Sequence, residues 1–289
     1  MKEKICIITG ANSGIGKQAA IQIANAGAHV IIACRSEERG RKALTEINQA
    51  ITKGSAELKL VDMSSLTSIK IFAEDVISHF PVVDVLIHNA ADFDIARKKP
   101  QFSKEGIETV WAANHVGPVL LTELLLNSLK RSGDGRVITI SSKGLLVKPG
   151  TKVLLDDPEF RKRKYSVTNA YYQSKRAQEM FTLWLAQKLC GTCVTANCIR
   201  VTNVKVDVSR YPGLSAMARF MYTLKSKASL SPEQMARTYA YLALSDAVKG
   251  ISGKCFDEKN QVVSTNSYTA DPNNIDEVMK LTLRYIGQQ

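Results

Sequence analysis

The 289-residue sequence lacks the features that assign a chain to several special classes of protein. It contains no apolar run of about 18 residues, so we expect no membrane span. The start, Met1-Lys2-Glu3-Lys4, leads straight into an apolar run and leaves no room for a signal peptide. The four histidines show no metal-ligand spacing, and we predict no metal site.

Cysteine is scattered rather than grouped, with six residues in the chain. Cys6, Cys34 and Cys198 lie in apolar strand-like runs, where a reduced cysteine behaves as a small hydrophobic residue. Cys190-Gly-Thr-Cys193 has the spacing of a redox motif, but it joins a helix end to a strand without thioredoxin context. The pattern favours a structural role for this pair and a cytoplasmic location, where thiols stay reduced.

The formal net charge is +12, which raises the question of an acidic partner. Basic residues are spread along the chain, with one run at Arg161-Lys162-Arg163-Lys164 that we interpret as a solvated face. No nucleic-acid-binding motif accompanies this charge, so we expect no nucleic-acid partner. The charge is compatible with phosphorylated ligands and indicates nothing more specific.

Apolar strand-like runs alternate with amphipathic helical segments throughout the chain, which is 45% hydrophobic and 23% charged. Near-continuous apolar runs are typical of buried parallel strands. We therefore predict one domain over residues 1–289, an α/β Rossmann-type doubly wound fold with about seven parallel strands and helices on both faces. The predicted strands are Ile5–Thr9, His29–Cys34, Glu57–Val61, Val83–His88, Arg136–Ser141, Val194–Ile199 and Lys254–Phe256.

A glycine-rich turn follows the first predicted strand and opens the first predicted helix. Such a turn lets the backbone approach a pyrophosphate, whose charge then lies on free N–H groups of the helix. The sequence therefore predicts a dinucleotide site here. The predicted contacts are Gly10, Asn12, Ser13, Gly14, Ile15 and Gly16.

The end of the second strand indicates which dinucleotide binds. An NAD site usually carries an acidic residue about 20 residues beyond the glycine run, and none stands there. Arg35, with Ser36 and a possible contribution from Lys17, is suited to a 2′-phosphate, so NADP(H) is favoured over NAD. The nearby acidic residues Glu37 and Glu38 are expected to begin the next helix. Arg39 and Arg41, further along, are consistent with ordinary solvent-exposed side chains.

Two further strand ends contribute candidate cofactor contacts. Asp62 can accept a hydrogen bond from an adenine amino group, and Met63 follows it. The alternative role for Asp62 is to cap the helix that begins near Ser65. Asn89 and Ala90, after the fourth strand, belong to a small-residue stretch that lets backbone approach a ligand.

Tyr171 and Lys175 form the candidate catalytic pair. They are four residues apart and share one face of a predicted helix. An ammonium beside a phenol lowers the pKa of the phenol, which suits Tyr171 to proton transfer near neutral pH. Upstream, the serine pair at the end of the fifth strand, Ser141-Ser142, is either catalytic or simply a turn.

Taken together, these motifs resemble the short-chain dehydrogenase/reductase family, single-domain branch, over nearly the whole chain. The stretch Ala33–Ser36, the stretch Asn114–Gly117 and the long gap between Ser142 and Tyr171 are most similar to the retinol-dehydrogenase-like subgroup. The resemblance implies hydride transfer between nicotinamide and a carbonyl or alcohol carbon. Tyr171 is then the general acid or base.

The resemblance also implies the other site roles. Lys175 holds the nicotinamide ribose, Ser142 rather than Ser141 bonds the substrate oxygen, and Asn114 holds a water in a proton relay. One local feature supports the last role, because Pro118 lacks the N–H that would bond the Asn114 carbonyl in a helix. An ordinary kink near a helix start is the alternative.

Three positions depart from the family pattern. Asn89-Ala90-Ala91 replaces Asn-Ala-Gly, and Ile199–Asn203 stands where the family has Pro-Gly. Val206 stands where a threonine commonly contacts the nicotinamide amide. We therefore expect the contacts on the nicotinamide side to differ from those usual in the family. Arg200 either reaches a substrate or faces solvent.

Two segments are expected to shape the substrate side. Residues 205–230 are methionine- and aromatic-rich and form either an apolar lid or a helix packed on the body. The insert, residues 143–169, is expected beside the mouth of the site. The predicted function is an NADP(H)-dependent oxidoreductase for a lipophilic small-molecule carbonyl or alcohol, in a homodimer or homotetramer. The alternative is a non-catalytic NADP-binding sensor or scaffold.

Overall fold

The computed structural model describes residues 3–205 and 229–288. Its strands, in chain order, are β1 (Ile5–Thr9), β2 (His29–Cys34), β3 (Ser55–Leu60), β4 (Val85–His88), β5 (Gly135–Ser142), β6 (Val194–Val201), β7 (Cys255–Phe256) and β8 (Val262–Val263). They form one sheet in the order β3-β2-β1-β4-β5-β6-β7-β8. All neighbouring strands pair parallel except β7 and β8, which are antiparallel.

Helices connect the strands as crossovers. They are α1 (Gly14–Asn25), α2 (Glu37–Ala50), α3 (Leu66–His79), α4 (Thr109–Trp111), α5 (Gly117–Arg131), α6 (Gly144–Val147), α7 (Val167–Lys188), α8 (Pro232–Leu244), α9 (Ser267–Ala270) and α10 (Pro272–Tyr285). A π-helical turn, Ala112–Val116, joins α4 to α5, and a 3₁₀ turn spans Asp246–Val248. The predicted doubly wound α/β fold is confirmed.

The described residues form eight strands, one more than the predicted number of about seven. β8 has only two residues and Val262 is 56% exposed, so no apolar run marks it in the sequence. It pairs antiparallel with β7 and needs no crossover helix. The prediction also began β3 two residues late and ended β6 two residues early.

Alternating strand residues place two apolar cores on the two faces of the sheet. Ile7 packs in the core that receives Phe72 of α3 and Phe181 of α7. Its neighbour Ile8 packs in the opposite core, with Ile23 of α1. Cys6, Cys34 and Cys198 are buried as expected. Cys190 and Cys193, the pair with the spacing of a redox motif, are exposed. All six cysteines are free thiols.

The insert of residues 143–169 is folded against the body rather than extended as a plain loop. It begins with α6, and the carboxylate of Asp157 accepts backbone N–H bonds from three consecutive basic residues. The expectation of a solvated basic run is wrong for Arg163, whose guanidinium donates to Gln173 at 2.8 Å. Lys162 and Lys164 are exposed as expected.

Within the described ranges, no helix is both long and apolar enough to cross a membrane. The same part of the chain contains no group of three or more histidine, cysteine, aspartate or glutamate side chains arranged to hold a metal ion.

Candidate active site

The turn between β1 and α1 brings backbone N–H groups to the carboxyl edge of the sheet. Gly10 and Gly14 have φ of +68° and +57°, which side chains rarely tolerate. A Cβ on Gly10 would lie 2.8 Å from the Cα of Ala90. Ser13 precedes α1 in extended backbone, and its side chain caps none of the helix N–H groups in the described structure. The start of α1 is therefore suited to an anion.

Asn89 fixes this turn to the neighbouring strand. Its side-chain amide donates to the carbonyls of Thr9 at 2.9 Å and Gly10 at 3.2 Å. Its carbonyl oxygen accepts from the hydroxyl of Tyr239 on α8 at 3.2 Å. Asn89 therefore holds the glycine-rich turn to the end of β4, and no local sequence pattern indicates its partner Tyr239.

One cleft of about 450 Å³ joins most of the predicted site. It contains every residue assigned to the cofactor from the sequence except Lys175, together with Tyr171. Residues that sequence reasoning did not assign also line it: Ala33, Cys34, Arg39, Val61, Ser64, Ala91, Asp92, Phe93 and Ala113. Because these residues follow β1, β2, β3 and β4, the cleft runs along the carboxyl edge of the sheet.

At one end of the cleft the surface is basic. Arg35 is 76% exposed, and its guanidinium lies 3.9 Å from the Asp62 carboxylate. Arg39, which the sequence left as a credible solvated residue, lines the cleft beside it. Lys17 instead pairs with Glu46 and is not among the cleft-lining residues. The suggested contribution of Lys17 to binding a 2′-phosphate is therefore not supported.

Local hydrogen bonds fix the backbone around this end. Ser36 caps α2 by accepting the N–H of Arg39 at 3.3 Å, and α2 begins with the two acidic residues as predicted. Asp62 accepts from both the N–H and the hydroxyl of Ser64, at 2.9 and 2.7 Å. The cap of α3 is Ser65, so Asp62 does not have the alternative capping role.

Of the four candidate catalytic residues, Tyr171 on α7 lines the cleft, whereas Lys175, Ser142 and Asn114 are not among its lining residues. The Lys175 ammonium lies 5.6 Å from the centre of the Tyr171 ring and donates to the Ile140 carbonyl at 2.9 Å. Lys175 is 2% exposed, and this burial lowers its pKa to about 8, against a small opposing effect of Cys198. The Tyr171 ring packs against Phe93, with ring centres 4.5 Å apart.

The structure separates the two serines at the end of β5. Ser141 is buried and donates to a carboxylate oxygen of Glu179 at 2.6 Å. Ser142 points to the other face of the strand, is half-buried, and accepts the N–H of Gly144 at 3.2 Å. This arrangement favours Ser142 as the serine available to a substrate.

Asn114 lies in the π-helical turn directly before Pro118. Proline removes a helix donor, and a π turn is the way this helix changes its hydrogen-bond register there. The Asn114 side chain exchanges two bonds with the backbone of Asp92, at 2.6 and 3.1 Å, and donates to Ser174 at 3.1 Å. Asn114 therefore links the loop after β4 to α7.

The end of β6 carries Arg200, and the expected lid follows it in the chain. Arg200 pairs in register with Ser141, and its Nε is buried with no hydrogen-bond partner among the described residues. Val206 and nearly all of the expected lid, residues 206–228, lie outside the described residues.

Comparison with known proteins identifies the family. A family model described as short chain dehydrogenase matches residues 4–152. The chain belongs to the short-chain dehydrogenase/reductase family. It is 35% identical to human retinol dehydrogenase 13 over 89% of this chain and 77% of that protein. It is 37% identical to mouse retinol dehydrogenase 12, over 88% and 78% respectively.

Solved structures agree with this assignment. An uncharacterized protein from Mycobacterium paratuberculosis has a TM-score of 0.74 and 27% identity, covering 99% of this chain and 94% of that one. An NAD(P)-dependent gluconate 5-dehydrogenase from Beutenbergia cavernae with bound NADP has a TM-score of 0.67 and 25% identity, over 88% and 94%. The family predicted from the motifs is confirmed, including its retinol-dehydrogenase-like character.

Proposed function

We propose that this short-chain dehydrogenase/reductase is an NADP(H)-dependent enzyme that reduces a lipophilic carbonyl compound or oxidises the matching alcohol. The observation that carries the proposal is the single cleft that runs from the phosphate turn to Tyr171. The named relatives act on retinol, an apolar alcohol, which supports a lipophilic substrate.

The cleft fits a dinucleotide. A Cβ at Gly10 would collide with Ala90 and one at Gly16 with Asn89, so both glycines permit the close backbone packing of the turn, and the start of α1 offers N–H groups to a pyrophosphate. The pyrophosphate would be held by the residues of the turn: Gly10, Asn12, Ser13, Gly14, Ile15 and Gly16. The adenosine and its ribose would be bordered by Asp62, Met63, Asn89 and Ala90. When bound, the nicotinamide supplies or accepts the hydride.

The chain's own residues then manage the proton. The Tyr171 hydroxyl donates a proton to the substrate oxygen in reduction and accepts it in oxidation. The Lys175 ammonium stabilises the phenolate that this leaves, and Ser142 holds the substrate oxygen by a hydrogen bond. Asn114, whose side chain is held by Asp92 and Ser174, would hold the water of a proton relay to Lys175.

The preference for NADP(H) rests on the basic end of the cleft. Arg35, Ser36 and Arg39 are the groups suited to a 2′-phosphate, and no carboxylate stands at the end of β2. Dissociation constants for NADPH and NADH test this directly. We expect NADPH to bind at least tenfold more tightly, since a charge-assisted bond contributes about 1.5–3 kcal/mol. Tighter binding of NADH would refute the assignment.

The catalytic assignment is tested by NADPH oxidation with a panel of aldehydes and ketones. Tyr171→Phe should lower kcat at least a hundredfold, since general acid catalysis contributes about 10²–10⁴-fold, while NADPH affinity stays unchanged. Activity that survives this substitution contradicts the mechanism.

A non-catalytic NADP sensor is the second candidate, and one observation favours it. Arg200, Val201 and Thr202 replace the residues usual at the nicotinamide side of the family's cleft. Tight NADPH binding without turnover of any carbonyl in the panel would select this function. The cytoplasmic location, the single domain and the homodimer or homotetramer stay predictions.

A further inference from the structure

Phe160, within the insert, has an unusual backbone conformation. Its φ is +55°, and among the described non-glycine residues only Asn260, at +61°, shares the left-handed region. A bulky side chain rarely adopts this conformation, so the surrounding structure must hold it there. Strained residues of this kind concentrate near functional sites, which makes Phe160 a candidate for a role in the cleft.

The following turn holds Phe160 in place. The Asp157 carboxylate accepts the N–H groups of Arg161, Lys162 and Arg163 at 2.6, 3.2 and 3.1 Å. The guanidinium of Arg163 lies over the Phe160 ring, 3.7 Å from its centre. Both interactions close the chain around Phe160 and direct its ring inward, where it is 4% exposed.

The buried ring forms part of a small apolar cluster against which the candidate catalytic residue Tyr171 packs. We call this cluster the tyrosine seat: Val110, Phe160, Val167 and Ala170. The rings of Phe93 and Tyr171 pack against the tyrosine seat and against each other. The tyrosine seat therefore joins the insert to the start of α7, and the Phe160 ring also meets the Tyr165 ring edge-on, with ring centres 5.5 Å apart.

We propose that Phe160 is a positioning residue that, through the tyrosine seat, sets the orientation of the Tyr171 ring. The proposal rests on the proposed role of Tyr171 as proton donor and acceptor. The start of α7 fixes the backbone of Tyr171, whereas the packing around the ring sets where its hydroxyl lies. The insert, expected only to shape specificity, thereby becomes part of the catalytic framework.

Phe160→Gly is the sharpest test, because glycine accepts the backbone conformation while the ring is lost. We expect kcat to fall about 10–100-fold, the range for a small misplacement of a reacting group, with NADPH affinity within twofold. The pH at which kcat changes should also move. Phe160→Leu, which refills the seat, should restore kcat to within about threefold of wild type.

Asn260→Gly is the matched control. It relieves the same kind of backbone conformation in the turn between β7 and β8, and we expect unchanged kcat and pH profile. Asp157→Asn provides a second variant that keeps the Phe160 ring but weakens the turn that holds it. It should shift kcat in the same direction by a smaller factor.

Kinetics and a titration separate this proposal from the proposed function. If the wild-type protein turns over no carbonyl, the proposed function fails. The positioning role is then tested by absorbance titration at 295 nm, in which the difference between wild type and Tyr171→Phe reports the ionisation of Tyr171. In that titration Phe160→Gly should shift the ionisation midpoint of Tyr171. Folded Phe160→Gly and Asp157→Asn proteins with wild-type kcat, or with a wild-type midpoint where there is no turnover, overturn the positioning role.

Discussion

Lys175 shows how one buried side chain connects the chemistry of the site to the stability of the fold. Burial lowers its pKa to about 8 from an ordinary 10.5, so the folded protein releases this proton at lower pH than the unfolded chain. Between these values the unfolded chain holds more protons, and stability rises with pH. Below about pH 8 the buried ammonium therefore costs the fold stability, by up to about 3 kcal/mol.

Lys175→Met should remove this cost, because methionine fills a similar volume without a charge. At pH 7 we expect the variant to be more stable than wild type by up to about 3 kcal/mol. The difference should shrink as pH rises from 8 to 10.5. Urea unfolding at pH 7, 8.5 and 10 measures it, and a difference that stays constant with pH would show that Lys175 does not titrate in this range.

Arg39 is the basic residue among those that the structure adds to the candidate cofactor site, and it has a matched control on the same helix. Arg39 lines the cleft, whereas Arg41 pairs with Glu37 at 2.6 Å on α2. Arg39→Ala should weaken NADPH binding about tenfold through loss of a charge-assisted bond, with NADH binding unchanged. Arg41→Ala should leave both dissociation constants within twofold. Equal effects of the two substitutions would indicate only a general loss of charge.

The residues that the sequence predicted and those that it missed differ in a physical way. Tyr171, Lys175 and the glycine run are defined by short spacings, which local geometry turns directly into shared faces and turns. Phe93 packs on Tyr171, and Tyr239 donates a hydrogen bond to Asn89, so both contacts join segments that are distant in the sequence. No local pattern encodes such contacts, so they could not be found from the sequence alone.

At the scale of elements, the unit formed by β1, the glycine turn and α1 depends on close backbone packing. A Cβ on Gly16 would lie 2.8 Å from the Gly10 carbonyl oxygen and would meet the Asn89 amide. Gly16→Ala should therefore raise the NADPH dissociation constant at least tenfold, although alanine is the better helix former by about 1 kcal/mol. Isothermal titration calorimetry provides the measurement.

Gly150→Ala is the control for that change, because a Cβ there meets no atom within 4 Å and its φ is not positive. We expect it to leave NADPH affinity unaltered. If Gly16→Ala binds NADPH as tightly as wild type, the turn accommodates the extra carbon, and the close packing at Gly16 is not needed for NADPH binding.

Strand bounds were predicted from apolar runs, which mark burial rather than pairing: β4 is fully buried, yet it was placed two residues early because buried Val83 precedes it. β1 and β2 have the bounds that the sequence predicted, because both are almost entirely apolar and buried. β3 is half-buried along its length and was placed two residues late. The π turn before Pro118 was expected only as a disturbance of a helix, since proline removes a donor without specifying how the register changes.

For the whole molecule, the continuous sheet explains why residues far apart in sequence meet. The glycine turn, Arg35, Asp62, Asn89 and Ser142 each follow or end one of the first five strands, and parallel strands present these ends at one edge. The alternation of strands and helices thus predicted the neighbourhood of these residues. Their distances depend on the twist and packing of the complete fold.

The same continuity predicts how the molecule unfolds. Both apolar cores pack on one sheet, so disruption of either removes support from the other, and we expect a single cooperative transition on heating. NADPH at 100 times its dissociation constant should add about 2.7 kcal/mol of stability. For a chain of this size that raises Tm by roughly 5 °C, with the whole transition displaced.

Scanning calorimetry tests this prediction, and Gly16→Ala serves as its control. At the same NADPH concentration the variant should show a much smaller displacement, because its affinity is lower. Two transitions, of which NADPH displaces only one, would show that part of the chain unfolds independently of the cleft. That outcome would contradict the single domain expected from the alternation of strands and helices, since every strand from β1 to β8 belongs to one sheet.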